Sequence, residues 1–181
     1  VSLPPSNDWM QVHSGRAFYP LEAKPEDIDI RDIAHALGMV CRYGGHCLHF
    51  YSVAEHSVIL SWTVDPQHAL WGLLHDASEA YIGDVVRPLK HKLPDYLEAE
   101  ERLMDAIAIK FGLEGPMPDQ VKEHDTRIVV DEIAQIMAPS KPWPALEGYD
   151  PLGVSIPCWG PHKATEMFLD RFNQLTETKE T

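Results

Sequence analysis

Residues 64–83 read VDPQHALWGLLHDASEAYIG. The stretch opens on a proline start signal, closes on Gly83 and is mostly apolar between them, which predicts one helix, the third of the chain. In the middle of that apolar run His75 stands beside Asp76. Polar side chains are costly to bury unless something satisfies them, so this pair needs partners from elsewhere in the chain. Glu79, four residues after His75 and three after Asp76, shares their side of the helix.

Outward from this stretch the helical period repeats. From Asp29 on, Ile30, Ile33, Ala34, Leu37 and Val40 recur at spacings of three and four and make one apolar face. The two glycines in CRYGGHCLHFY, residues 41–51, break that helix. Ser52 then caps a second helix through VAEHSVILSW, and Glu55 three residues on suits a capping box. Downstream, LPDYLEAEERLMDAIAIKFG is a long amphipathic helix ended by Gly112, and MPDQVKEHDTRIVVDEIAQIM is another with Pro118 near its first turn. Residues 139–158 carry several prolines and glycines and read as a long surface loop, and GPHKATEMFLDRFNQL closes the chain as a helix. Residues 1–28 are rich in proline and turn formers, with GRAFYPL suited to a short strand or hairpin. The expectation is an all-α single domain over residues 1–181, a bundle of about six helices with an N-terminal hairpin.

A chain of 181 residues is long enough to bury a real core as one domain. Its 44% hydrophobic and 24% charged residues are those of a globular protein. The formal net charge of −13 argues against nucleic acid or an anionic membrane surface as a partner. It leaves room for a small anionic substrate, because a metal or local cations can reverse the local field. Three cysteines, Cys41, Cys47 and Cys158, with no C-x-x-C pair, argue against a disulfide framework or a zinc knuckle. No apolar run has the length of a membrane span, and VSLPPSNDWMQ lacks the basic and apolar regions of a signal peptide. The setting these features fit is a reducing cytoplasm. Small helical domains with exposed apolar faces often dimerise, so a homo-oligomer stays open.

Three separate helices offer inward-facing polar residues. His56 has Val53 three before it and Leu60 four after, which places it on an apolar face. Asp125 has Val121, Ile128 and Val129 around it, so it is paired, protonated or bound to a cation. Asp131 is a weaker candidate, because its face also carries Arg127 and Gln135. A lone inward histidine is more often a hydrogen-bonded core residue. The combination of His56, the His75–Asp76 pair and Asp125 suits a divalent transition ion, and two histidines with two carboxylates leave coordination positions open for water. His46 and His49 also have a zinc-like H-x-x-H spacing, though loops often carry unliganded histidines.

The order His56, His75–Asp76, Asp125, with the flanking text AEHS, HDASEAYIGD and VKEHD, resembles the signature of the HD-domain metal-dependent phosphohydrolases. The resemblance covers roughly residues 30–137 and is to the small single-domain members, among them bacterial 5′-deoxynucleotidases and phage deoxyadenosine triphosphohydrolases. It implies a helical bundle around one divalent ion (Mn, Co, Ni, Fe, Zn or Mg) held by His56, His75, Asp76 and Asp125. It implies that Glu79 positions or activates the attacking water and that Asp84 is a further polar active-site residue. Arg42, in CRYGGH, resembles the arginine that grips phosphate. Tyr43 stands where the deoxynucleotidase pattern has tryptophan, near the sugar.

The activity expected from the resemblance is hydrolysis of a phosphate ester or anhydride in a nucleotide. Release of phosphate from deoxynucleoside monophosphates is favoured over release of tripolyphosphate from a dATP-like substrate, because fewer cations are required and the chain is acidic. Lys90 and Arg87, just after the GD block, are additional phosphate candidates, although a solvated side chain is the commoner state of such residues. Tyr43, Phe50 and Trp62 are candidates for stacking on a base, although aromatics are more often core. A non-catalytic metal-bound module is the reading from another class, and the presence of both Glu79 and Asp84 argues against it.

Overall fold

The computed structural model of the chain describes residues 8–177, and its first element is the N-terminal hairpin. Strand β1, Met10–Gln11, pairs antiparallel with β2, Ala17–Phe18. The hairpin is fastened to the first helix, α1 (Ile30–Met39), by buried Asp32, which accepts from the Ser14 amide, the Ser14 hydroxyl and Arg16. Asp29 caps α1 by accepting the Arg31 N–H at 2.9 Å. The remaining helices are α2 (Val53–Thr63), α3 (Ala69–Leu74), α4 (Glu79–Ile82), α5 (Arg87–Lys90), α6 (Pro94–Phe111), α7 (Asp119–Ile136) and α8 (Pro161–Glu177). Gly112 ends α6 in the left-handed conformation, φ +64°, as its position in the sequence predicts. The fold is all-α, and no helix among the described residues is long and apolar enough to cross a membrane.

The single helix predicted over residues 64–83 is divided. Continuous α-helix stops at Leu74 and resumes at Glu79. Between them the amides of Ala77 and Glu79 reach back only three residues, to the carbonyls of Leu74 and Asp76, each at 3.0 Å. The turn is therefore tightened in the 3₁₀ manner. The Gly72 carbonyl accepts the His75 ring Nδ1–H at 2.8 Å, which fixes that side chain against its own helix. No glycine or proline marks residues 74–79, so periodicity alone misses the break.

Helix α2 is the axis of the bundle. It is buried from Val53 to Ser61 on all sides, and α1, α3, α7 and α8 pack around it. One apolar cluster, with Phe18, Ile33, Leu37, Leu73, Leu103 and Phe168, lies to one side. A second, with Tyr51, Ile59, Leu60, Val121, Ile128 and Ile136, lies toward α7.

Helix α1 packs chiefly on α8, and the approach depends on Gly38. A Cβ there would stand 2.3 Å from Thr165 Oγ1 and 3.0 Å from the Pro161 carbonyl oxygen. Alanine is otherwise better than glycine inside a helix by about 1 kcal/mol. Thr165 can rotate away, but the Pro161 carbonyl cannot, and overpacking of this kind costs about 1–3 kcal/mol. Gly38→Ala is therefore expected to lower the urea midpoint at unchanged m value; a rise would mean that propensity wins and the contact is slack.

The capping box is only half formed. Ser52 Oγ accepts the Glu55 N–H at 3.1 Å, but the Glu55 carboxylate leaves the cap and accepts the Trp159 N–H at 2.7 Å. Its other oxygen is buried without a hydrogen-bond partner. Burial pushes the Glu55 carboxyl up to about 7. A raised folded-state value means that the stability linked to this proton is full below the unfolded value of about 4.5 and is lost as pH rises through about 7. Glu55→Gln keeps the uncharged form throughout, so its Tm is expected to fall less than wild type between about pH 5 and about pH 8. Parallel Tm profiles would remove Glu55 as the source.

The proline-rich segment is exposed, as its composition predicts, yet its second half is pinned to α7. Asp131 accepts the amides of Leu152, Gly153 and Val154 at 2.7, 2.9 and 3.1 Å. Gln135 bonds Val154 and Ile156, and Arg127 bonds the carbonyls of Asp150 and Pro151. The face of Arg127, Asp131 and Gln135 is thus a docking strip for this strap, and the candidacy of Asp131 as a metal ligand ends there.

Candidate metal centre

Three elements meet at one point. Helix α2 brings His56, the tight turn after α3 brings His75 and Asp76, and α7 brings Asp125. The two Nε2 atoms lie 3.3 Å apart. Asp125 Oδ1 is 3.0 Å from His56 Nε2 and 3.7 Å from His75 Nε2. His56, His75 and Asp125 form a group that could hold a metal ion. Asp76 Oδ2 adjoins it, 3.0 Å from His75 Nε2 and 3.9 Å from His56 Nε2.

The orientation of both imidazoles is fixed from behind. His75 donates its Nδ1–H to Gly72, and His56 donates its Nδ1–H to Glu132 Oε1 at 2.8 Å. Each ring therefore turns Nε2 to the common point, the arrangement by which outer hydrogen bonds orient metal-ligating histidines. Burial works against charge here. It is outweighed at His75, which Asp76 and Asp125 raise well above the usual histidine range. It is outweighed also at Asp125, which the adjacent His56 and His75 imidazoles hold well below the usual carboxylate range. A proton held between His75 and these carboxylates occupies a position that a cation can take, with its release.

Glu79 stands at the start of α4, one turn beyond the pair, and is buried. Its Oε2 has no hydrogen-bond partner. Burial, with Asp76 and Asp84 beside it, pushes its carboxyl far above the usual range. Burial also raises half-buried Asp84. An orphaned buried carboxylate oxygen beside two other acids is a place where a water or a cation belongs.

Arg42 is brought to the same site. It opens a short 3₁₀ turn, Arg42–Gly45, anchored by the Arg42 N–H to the Tyr51 carbonyl at 2.9 Å. Its side chain is 11% exposed, with Nη1 3.6 Å from Asp76 Oδ2 and Nη2 3.3 Å from Glu132 Oε2. Its Nε is buried without a partner. Tyr43 follows with φ +56°, a left-handed conformation uncommon outside glycine, and its hydroxyl bonds Glu132 Oε2. The Tyr43 ring meets Trp143 of the proline-rich strap edge-on at 6.1 Å.

Other sequence candidates stand differently. Lys90 pairs with Glu100 of α6 at 2.6 Å, and Arg87 is exposed. His46 and His49 are exposed, and no metal-capable group among the described residues includes them. Phe50 is half-buried, while Trp62 is 49% exposed and packs edge-on against Trp159. The residue that sequence reasoning misses is Glu132. It is 0% exposed and accepts from His56, Tyr51, Tyr43 and Arg42. Burial notwithstanding, Arg42 and His56 hold its carboxyl at about 2. Its signal is the spacing of seven from Asp125, two turns along the same helix face.

No family model matches the chain. It is 38% identical over 173 residues to the uncharacterized protein YfdR of Escherichia coli strain K12, covering 94% of this chain and 97% of that protein. It is 36% identical over 124 residues to an uncharacterized protein of Rhodobacter capsulatus, 63% of each chain.

Proposed function

The chain belongs to the family of the Escherichia coli protein YfdR, and we propose that it is a metal-dependent phosphohydrolase of the HD-domain type acting on nucleotides in the cytoplasm. One observation carries the reading. Two imidazole Nε2 atoms and the Asp125 carboxylate converge on one point, with a buried guanidinium 3.6 Å from Asp76 and an orphaned Glu79 beside them. A structural metal site would be closed by its ligands, whereas this one adjoins groups suited to water and phosphate.

His56, His75, Asp76 and Asp125 are the ligands in this reading, and imidazole with carboxylate favours Mn, Co, Ni, Fe or Zn over Mg. When bound, a divalent ion supplies a lowered water pKa and polarises a phosphoryl oxygen. Beside a divalent ion the raised Glu79 carboxyl is lowered toward its ionised form, in which its free oxygen holds the attacking water and takes its proton. Arg42 offers its donors to the phosphate oxygens in a fixed fork. Burial and Asp76, with Asp84 beside them, make the ionised Glu79 carboxylate a strong proton acceptor, and Tyr43 walls the pocket toward the sugar.

Deoxynucleoside monophosphates are the favoured substrates. Polyphosphate beyond the α-phosphorus needs further cations, and Arg87 is exposed while Lys90 is committed to Glu100. A screen of nucleoside mono- and triphosphates with Mn, Co, Mg and Zn tests this. Orthophosphate from deoxynucleoside monophosphates is expected. Tripolyphosphate from dATP, with no monophosphate cleaved, would replace the substrate and keep the site. No release from any nucleotide by ion-loaded protein would leave a non-catalytic module.

A further inference from the structure

We propose that Glu132 is a positioning residue that ties the metal ligand His56 to the phosphate-gripping Arg42, so that neutralising it loosens ion and phosphate together. The inference rests on the reading of the site given above. Glu132 is fully buried on α7, and both its oxygens are used twice. Oε1 accepts from His56 Nδ1 and from the Tyr51 hydroxyl, each at 2.8 Å. Oε2 accepts from Arg42 Nη2 at 3.3 Å and from the Tyr43 hydroxyl.

All four neighbours present donors, so an acceptor-only carboxylate is the group that satisfies them. Hydrophobic packing alone gives no reason for a carboxylate in this place, since burying a charge is costly unless it is paired and bonded. What the carboxylate adds is geometric. On one side it fixes the His56 tautomer, with hydrogen on Nδ1 and a lone pair on Nε2 toward the ion. On the other it holds the guanidinium 3.6 Å from Asp76 and leaves Nε free.

Glutamine has the same shape but cannot serve both sides. With its oxygen toward His56, its NH₂ faces the Arg42 and Tyr43 donors. Turned over, its NH₂ faces His56 Nδ1, which then accepts, and the ring hydrogen moves to the ligating Nε2. Either way one half of the site is released, and exchange between the two weakens both.

The test needs no turnover. Co(II) affinity, followed by its absorption spectrum, and the Kd of inorganic phosphate on the ion-loaded protein are measured for wild type, Glu132→Gln, Arg42→Ala and the double variant. Glu132→Gln is expected to weaken Co(II) by about tenfold or more, the scale for losing an outer-shell partner. It is expected to weaken phosphate in the wild-type background but not further in the Arg42→Ala background, since the two act through one contact. Wild-type Co(II) affinity and spectrum, or phosphate effects that add independently, would overturn the coupling. If Glu132→Gln does not fold, Glu132→Asp, which retains charge but shortens the reach, is judged by the same readouts. Absence of hydrolysis by ion-loaded wild type would fell the phosphohydrolase reading and leave both binding measurements to decide on Glu132.

Discussion

Glu79→Gln retains the ion and loses turnover by about a hundredfold or more, the usual scale for a positioned general base. The substitution changes one atom at the start of α4, where the carboxyl is buried and one oxygen lacks a partner. Shape and packing survive it. The ability to accept a proton from water does not. Because Glu79 is outside the His56–His75–Asp125 group, metal content by elemental analysis should match wild type. Near-normal kcat would remove Glu79 from the chemistry; loss of the ion would make it a ligand instead.

Arg42→Ala is expected to strike stability and activity at once. The guanidinium lies between Asp76 and Glu132, and its removal leaves Glu132 buried at 0% exposure without its cation. Breaking a buried pair by deleting one partner costs about 3–5 kcal/mol, because the other charge stays behind. The urea midpoint should fall accordingly. For the protein that remains folded, KM should rise and kcat/KM should fall, since contacts to phosphate act in ground and transition states. Arg87→Ala, at an exposed site, should move neither quantity. An Arg42 variant with the wild-type midpoint and kinetics would show that the guanidinium is neither needed by Glu132 nor by substrate.

The sequence makes some of this architecture plain and conceals the rest for identifiable reasons. The faces of α1, α6, α7 and α8 follow apolar periodicity, and Asp29, Gly112 and Pro118 mark ends because each meets a local backbone requirement. His56 faces inward for a simpler reason than its neighbours suggest, since α2 is buried all round and every face is inside. The tight turn at residues 75–78 depends on a side chain bonding its own helix, which has no compositional mark. Adjacent acids on α7 divide their roles because one faces the strap and the other faces His56. Nothing in Asp131–Glu132 itself says which, because the strap has no period. The burial of Arg42 is hidden likewise, since its partners Asp76 and Glu132 lie on distant elements.

The closeness of Gly38 to Thr165 also bears on how the chain reaches this state. Helix α1 is made early and its chief companion α8 late, so α1 and the central α2 must wait for a segment far along the chain. Closing so long a loop adds only slowly to the entropic cost, but contacts of high sequence separation slow folding. A nascent chain carrying α1 to α7 would expose the apolar strip that Phe168 and Ala164 later cover. Such surfaces attract chaperones and promote aggregation before they are covered. Docking of α8 is thus the step that ends this exposure, and because α8 packs on both α2 and α3, the meeting of His56 with His75 is completed by a helix that contributes no residue to their group.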